Sequence, residues 1–175
     1  MTIATTIAPA RPKLFQEILA GVDFAVASPA DADELAVLYR RFFDEADYKS
    51  RGIVYAPEKV LDSLQAATML GRYPHIIART RGYDGKIIGF VSYSLDDAFC
   101  VDPVAVMDNI YVAPEYRRSA IGRVLIALVL EMAIGDGACA FHAPVASGTT
   151  AAKSLLNSFK RAGFSEIGMI VGRGL

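Results

Sequence analysis

Residues 107–127, MDNIYVAPEYRRSAIGRVLIA, decide the fold. Ile110, Tyr111 and Val112 are strand formers, a polar turn follows Pro114, and an apolar run begins at Ile121. The stretch therefore reads as a buried strand, a tight turn and the first turns of a long helix. Backbone NH groups at a helix start have no acceptor inside the helix. Those of Arg117, Arg118, Ser119, Ala120, Ile121 and Gly122 converge where an anion can be held. Ser119, Ala120 and Gly122 are small enough for a pyrophosphate to approach the backbone. Arg117 and Arg118 add guanidinium donors, and Arg123 is grouped with them. An ordinary strand-to-helix connection is the competing reading of the same residues.

Working outward, the chain alternates strands and helices. Residues 23–27 read as a strand; Ser28 then caps a helix with Pro29 at its first position and Asp31 reaching back. Leu35, Leu38, Phe42 and Ala46 recur at helical spacing, and a second helix runs from about Pro57 to Gly71 with Val60, Leu61 and Leu64 inward. Residues 75–80 and 86–95 read as strands joined through Tyr83, Asp84 and Gly85, where Asp-Gly supplies the positive φ of a hairpin turn. The central strand is 104–112. The helix after the turn is apolar around most of its circumference and must be buried on most sides. A strand over 138–146 follows, with Pro144 giving it an unpaired edge. A last helix over about 149–162, capped by Gly163, leads to a closing strand over 165–171.

A chain of 175 residues with 53% hydrophobic content fills one compact domain over 21–175. Residues 1–20, with Pro9 and Pro12, read as an arm that packs on the domain, joins a partner chain as in a homodimer, or stays mobile. The net charge of -1 gives no electrostatic reason to expect nucleic acid. No apolar run approaches the roughly 20 residues of a membrane span. Cys100 and Cys139 have no metal spacing, so the expectation is a soluble cytoplasmic protein with reduced thiols, Cys139 lying in the core, and no metal.

The turn and its flanks resemble the GNAT superfamily of N-acyltransferases. That family carries Arg/Gln-x-x-Gly/Ala-x-Gly/Ala after a strand ending in Tyr-Val-x-Pro-Glu-Tyr, matched here by Arg117, Ala120 and Gly122 behind Tyr111, Val112, Pro114, Glu115 and Tyr116. The resemblance runs from about Phe24 to the C-terminus, and residues 159–164, FKRAGF, look like the family's closing helix and Gly-Phe corner. It implies an α/β (α+β) fold: a mixed, mostly antiparallel sheet flanked by about four helices, with a splay between the strands around the turn helix. It also implies acetyl-CoA as co-substrate, held by the turn, with Ile110, Tyr111 and Val112 alongside the pantetheine, and transfer of acetyl to a small-molecule or peptide amine.

Acyl transfer to an amine needs a neutral amine, a stabilised oxyanion and a protonated leaving thiolate. Asp108 and His142 are the candidate bases. Asp108 is expected on the face of Ile110 and Val112, in a partly apolar cleft that raises its pKa. Its alternative is a polar group paired with a neighbouring strand or loop. An imidazole at position 142 needs little tuning to act as a base near neutral pH; the alternative for His142 is a core histidine bonded to backbone. His75, far from the turn in sequence, has the weaker claim. Many GNAT enzymes place a tyrosine acid four residues before the Gly of Gly-Phe, where this chain has Phe159, so no acid is carried to that position. Asp31, Asp33, Glu34, Asp44, Glu45 and Asp47 either attract a cationic amine or form a solvated helix face. Tyr39, Phe43 and Tyr48 either line a pocket or pack in the core. The rival function is a non-catalytic coenzyme A-binding or assembly module, favoured by Phe159.

Overall fold

The computed structural model describes residues 21–46, 48–70, 73–82, 85–98, 101–145 and 150–167. The expected arm, Tyr83 and Asp84, Cys100, and residues 168–171 of the expected closing strand lie outside them. Five strands, β1 Val22–Val26, β2 His75–Thr80, β3 Ile87–Asp96, β4 Val104–Val112 and β5 Ala140–His142, form one sheet in sequence order. The first four are antiparallel, and β5 runs parallel to β4. Helices α1 Ala32–Glu45 and α2 Pro57–Leu70 pack on one face; α3 Ile121–Gly135 and α4 Thr150–Arg161 cover the other.

Hydrophobic alternation in the strands feeds both layers. Phe90 and Tyr111 join Leu35, Leu38 and Leu64 beneath α1 and α2. Val91, Tyr93 and Met107 join Leu125, Val129 and Phe159 on the opposite face. Along α3, Ile121, Leu125, Ile126, Val129 and Ala133 are buried, whereas Arg123, Ala127 and Glu131 at four-residue spacing form its exposed stripe. Gly89 lets this helix sit close. A Cβ there would stand 3.0 Å from the Tyr111 carbonyl oxygen and 3.5 Å from Leu125. Truncating the fully buried Leu125 to Ala is expected to cost about 2–5 kcal/mol through lost burial and the cavity left behind.

The start of α1 is anchored by charge as well as by its cap. The Asp31 carboxylate accepts from the Ser28 amide at 2.7 Å and hydroxyl at 2.8 Å, as the capping-box reading requires. Burial pushes its pKa up, but these bonds and the Arg79 guanidinium outweigh that and hold it below the ordinary value. Arg79 also reaches Glu34 (2.9 Å) and the Gly85 carbonyl (2.7 Å), so the hairpin of β2 and β3 is clasped to the helix.

Several sequence expectations are corrected. Gly85 does not carry the positive φ; Gly82 does, at 124°, and Gly85 lacks space, since a Cβ would lie 2.6 Å from the Thr80 carbonyl. The strand expected over 138–146 shrinks to β5, with Pro144 beyond its end. Cys139, expected in the core, is exposed, since it precedes the short β5 and lies outside the sheet. Ser165–Ile167 is not a strand. Gly163, at φ 92°, does end α4 as expected.

Two irregularities open the sheet. Pairing of β4 with β5 stops at Val106 and His142, and no strand among the described residues continues along that edge of β4 to Val112. This is the expected splay. The β3–β4 register also slips between Ser92, opposite Asn109, and Tyr93, opposite Met107, which leaves Asp108 as the extra residue of a bulge. The bulge shifts the alternation. Ala105 and Met107 face α3, and so do Ile110 and Val112; Asn109 and Tyr111 face α1. Asp108 therefore does not share a face with Ile110 and Val112, contrary to the sequence reading. No helix among the described residues is long and apolar enough to cross a membrane, and none of their acidic, His or Cys groups cluster as a metal site.

Candidate active site

On the α1/α2 face the bulge opens onto a cavity of about 550 Å3. Its floor is polar: Tyr39 from α1, His75 from β2, Ser92 from β3, and Asp108 and Asn109 side by side from β4. The irregular strand explains that pair, since a regular strand would send neighbours to opposite faces. The walls come from α1, α2 and the connection between them and are largely aliphatic and aromatic.

The floor is a closed hydrogen-bond network. The Tyr73 carbonyl can only accept, so His75 Nδ1–H donates to it at 2.8 Å. Burial lowers the His75 pKa, with the Tyr73 carbonyl opposing, so the ring is neutral and Nε2 accepts from the Tyr39 hydroxyl at 3.0 Å. Asn109 Nδ2 (3.4 Å) and Ser92 Oγ (3.5 Å) complete the shell of the Tyr39 oxygen. Burial pushes the Tyr39 phenol up to about 12, so it stays protonated. Phe90 stacks on its ring with centroids 4.4 Å apart.

Asp108 differs in kind. It is solvent-accessible and takes one hydrogen bond, from Ser94 Oγ on β3 at 3.0 Å. Burial against the cavity raises its pKa, and the Ser94 bond only partly offsets this. The pairing with a neighbouring strand, expected as its alternative role, is thus present together with a place on the cavity. His142 is exposed at the end of β5, on the sheet face opposite Phe141, and does not line this cavity. The buried histidine bonded to backbone is His75, not His142.

The acidic residues of α1 do not reach the cavity. Asp31 and Glu34 hold Arg79, Asp44 pairs with Arg40, and Glu45 takes Arg117 and the Tyr111 hydroxyl. Asp33 is exposed, and Asp47 lies outside the described residues. Tyr39 and Phe43 line the cavity, whereas Tyr48 stacks behind Phe43.

The turn lies past the far end of β4. After a 3-10 turn at Pro114–Tyr116, Arg118 adopts φ 66° and α3 begins at Ile121. The Arg117 side chain is committed: Nε donates to the Val112 carbonyl at 2.9 Å and the guanidinium pairs with Glu45 over the Tyr111 ring. Arg118 is exposed and makes no ion pair among the described residues. Ser119 Oγ donates to the Tyr116 carbonyl (2.7 Å) and accepts from the Ile121 amide (3.2 Å). The amides of Arg118, Ser119, Ala120 and Gly122 find no acceptor among the described residues. Ala120 is buried, so its size serves packing. Gly122 is different, since a Cβ there would meet only Val112 Cγ2, at an ordinary 3.8 Å. No contact among the described residues demands glycine there. Tyr111 is buried beneath α1, and Ile110 and Val112 pack toward α3.

Residues 34–164 match the Acetyltransferase (GNAT) family model. The chain belongs to the GNAT acetyltransferase family. Its fold is shared with solved structures at low identity. An aminoglycoside N-acetyltransferase in complex with CoA superposes with a TM-score of 0.68 at 16% identity, covering 86% of this chain and 92% of that one. For an aminoglycoside acetyltransferase from an uncultured soil metagenomic sample, in complex with sisomicin, the values are 0.67 and 16%, covering 90% and 99%. Ribosomal-protein-alanine N-acetyltransferase from Brucella melitensis biovar Abortus 2308 gives 0.62 and 19%, covering 87% and 99%. No curated protein sequence matches the chain.

Sequence reasoning named Asp108, offered Tyr39 as a pocket residue and gave His75 a weaker claim, but it did not name Ser92 or Asn109 and did not bring the floor together. Tyr39, His75 and Ser92 are 36 or more positions from one another or paired across strands, and only the fold assembles them.

Proposed function

We propose that this GNAT protein transfers an acetyl group from acetyl-CoA to a primary amine by direct attack in a ternary complex, with Asp108 as the base. The observation that carries the reading is the position of Asp108. It projects from the bulge into the cavity, two residues past the last pair of β4 with β5, so a carboxylate stands where the sheet begins to part. A carboxylate whose pKa is raised by burial accepts a proton better than an ordinary one.

Acetyl-CoA supplies the activated acyl carbon as a thioester. The unbonded amides of Arg118, Ser119, Ala120 and Gly122 suit its pyrophosphate, helped by the Arg118 guanidinium and by the open space at Gly122. Arg117 serves by tying the turn to Glu45, which holds those amides in place. The exposed edge of β4 from Ile110 to Val112 offers backbone groups to the pantetheine. Asp108 removes one proton from the ammonium, the nitrogen bonds to the acyl carbon, and the C–S bond breaks. The nitrogen's second proton passes to solvent water and the departing thiolate takes one from water in return, so no net hydroxide is left; Phe159 is buried in the core and has no proton to give. His142, exposed on β5, remains the second candidate base.

Calorimetric titration with acetyl-CoA, followed by thiol release in the presence of amines, tests this reading. Saturable binding with amine-dependent thiol release is expected. Binding without turnover for any amine would favour the coenzyme-binding module, and no binding by folded protein would reject the reading.

A further inference from the structure

Resting on that acetyltransferase reading, we infer that the acceptor is a small monoamine with an apolar body, bound with its nitrogen at Asp108 and its body against the α1–α2 wall. A volume of about 550 Å3 matches a small-molecule site. Phe43, Ile53, Val54, Val60, Leu64 and Ala67 make that wall mostly apolar, with the Ser63 hydroxyl and the Lys59 ammonium as the polar side-chain groups that α2 adds. At the mouth, Ile53 is 47% exposed, Val54 82% and Tyr73 51%, so apolar surface stands open where a ligand body would cover it.

Charge separates this class from polyamines. Among the charged residues lining the cavity are one carboxylate, Asp108, and one ammonium, Lys59. His75 is neutral and its two nitrogens are engaged by Tyr73 and Tyr39. The remaining acids of α1 that the structure describes are bound to arginines or lie outside the cavity. A single ammonium is matched by Asp108. A second would meet no further carboxylate among the described lining residues and would face Lys59, which costs affinity in a partly desolvated site. The chemistry thus points away from a polycationic acceptor such as sisomicin, the ligand of one structural neighbour.

The test is direct binding to the full-length protein saturated with coenzyme A, read by calorimetry, for 2-phenylethylamine, 2-phenylethanol, 1,4-diaminobutane, sisomicin and an alanine-led tripeptide. Thiol release with acetyl-CoA is measured separately. 2-Phenylethylamine is expected to bind at least about tenfold more tightly than each of the others, the scale on which an apolar contact or an unmatched charge discriminates. Equal or tighter binding of the diamine, sisomicin or the tripeptide would overturn the inference, as would no binding of 2-phenylethylamine at millimolar concentration. Selective binding without thiol release would leave the acceptor class standing and remove the transferase reading. Val54→Asp, at an exposed rim position, adds a second carboxylate. It is expected to tighten 1,4-diaminobutane several-fold relative to 2-phenylethylamine, and an unchanged ratio would place the amine elsewhere.

Discussion

The turn before α3 and the cavity beneath α1 and α2 are built by opposite means. The turn is local: Arg118, Ser119, Ala120 and Gly122 are neighbours in sequence, and their backbone amides provide the donors. The cavity floor is assembled from α1 and three strands, and what it offers is side chains. A backbone site tolerates side-chain change and binds a constant group such as a phosphate. A side-chain site can vary with the acceptor. The two regions should therefore fail separately when mutated.

The largest expected separation comes from Asp108→Asn. With Asp108 as the proposed base, its loss lowers kcat by about 10²–10⁴-fold, whereas acetyl-CoA affinity, proposed to rest on the turn, stays within about twofold of wild type. The wild-type rate should fall as pH drops through the raised pKa of Asp108, above the ordinary carboxylate range. In Asp108→Asn that acid limb should vanish, and its persistence in a pH–rate profile would assign the base elsewhere, His142 first.

Gly122 breaks the comparison from the other side. Gly122→Ala meets only ordinary contact at 3.8 Å, so folding should be unaffected or stabilised by about 0.5–1 kcal/mol, as for glycine replaced in a helix. Acetyl-CoA binding should nevertheless weaken, and Gly122→Val should weaken it further. A thermal melt and a titration on the same samples check both halves; undiminished binding would show that no phosphate approaches there.

His75→Gln should cost about 1–3 kcal/mol, because Tyr39 loses a buried acceptor. The sign with pH follows from the lowered folded pKa. The contribution of His75 to stability is fully present above its unfolded value near 6.5 and is lost as pH falls through the lower folded value. Denaturant melts from pH 7.5 downward should show that loss in wild type and less of it in His75→Gln. Acetyl-CoA affinity at neutral pH should not follow.

The smallest effect concerns Arg117. Its ion pair with Glu45 is partly exposed and contributes at most about 1 kcal/mol. If Arg117 positions the turn, Glu45→Gln and Arg117→Ala should weaken acetyl-CoA binding to similar extents. If Arg117 contacts phosphate itself, Glu45→Gln would release it and leave binding equal or tighter.

This contrast also explains what the sequence could disclose. The bounds of β4 and the start of α3 at Ile121 follow from local signals, a β-branched and aromatic run and then a polar turn. The capping box at Ser28 is equally local. The bulge at Asp108 is not, because it is a register slip against β3 and a single strand carries no mark of it. Asp108 was found as a residue and placed on the wrong face for that reason. His75 was undervalued because distance along the chain hid its contact with Tyr39, and Glu45 read as surface acid until the fold set it beside Arg117 and Tyr111. Cys139 misled by composition, since an apolar run usually marks a core, whereas here the strand starts only at Ala140 and Cys139 before it is exposed.

The most direct test of the two-region account is a paired measurement on wild type and Asp108→Asn: the acetyl-CoA dissociation constant by calorimetry and the rate of thiol release with a saturating amine. The account predicts an unchanged dissociation constant with a rate reduced by about 100-fold or more. Equal rates, or a loss of acetyl-CoA binding that accounts for the slower turnover, would contradict it.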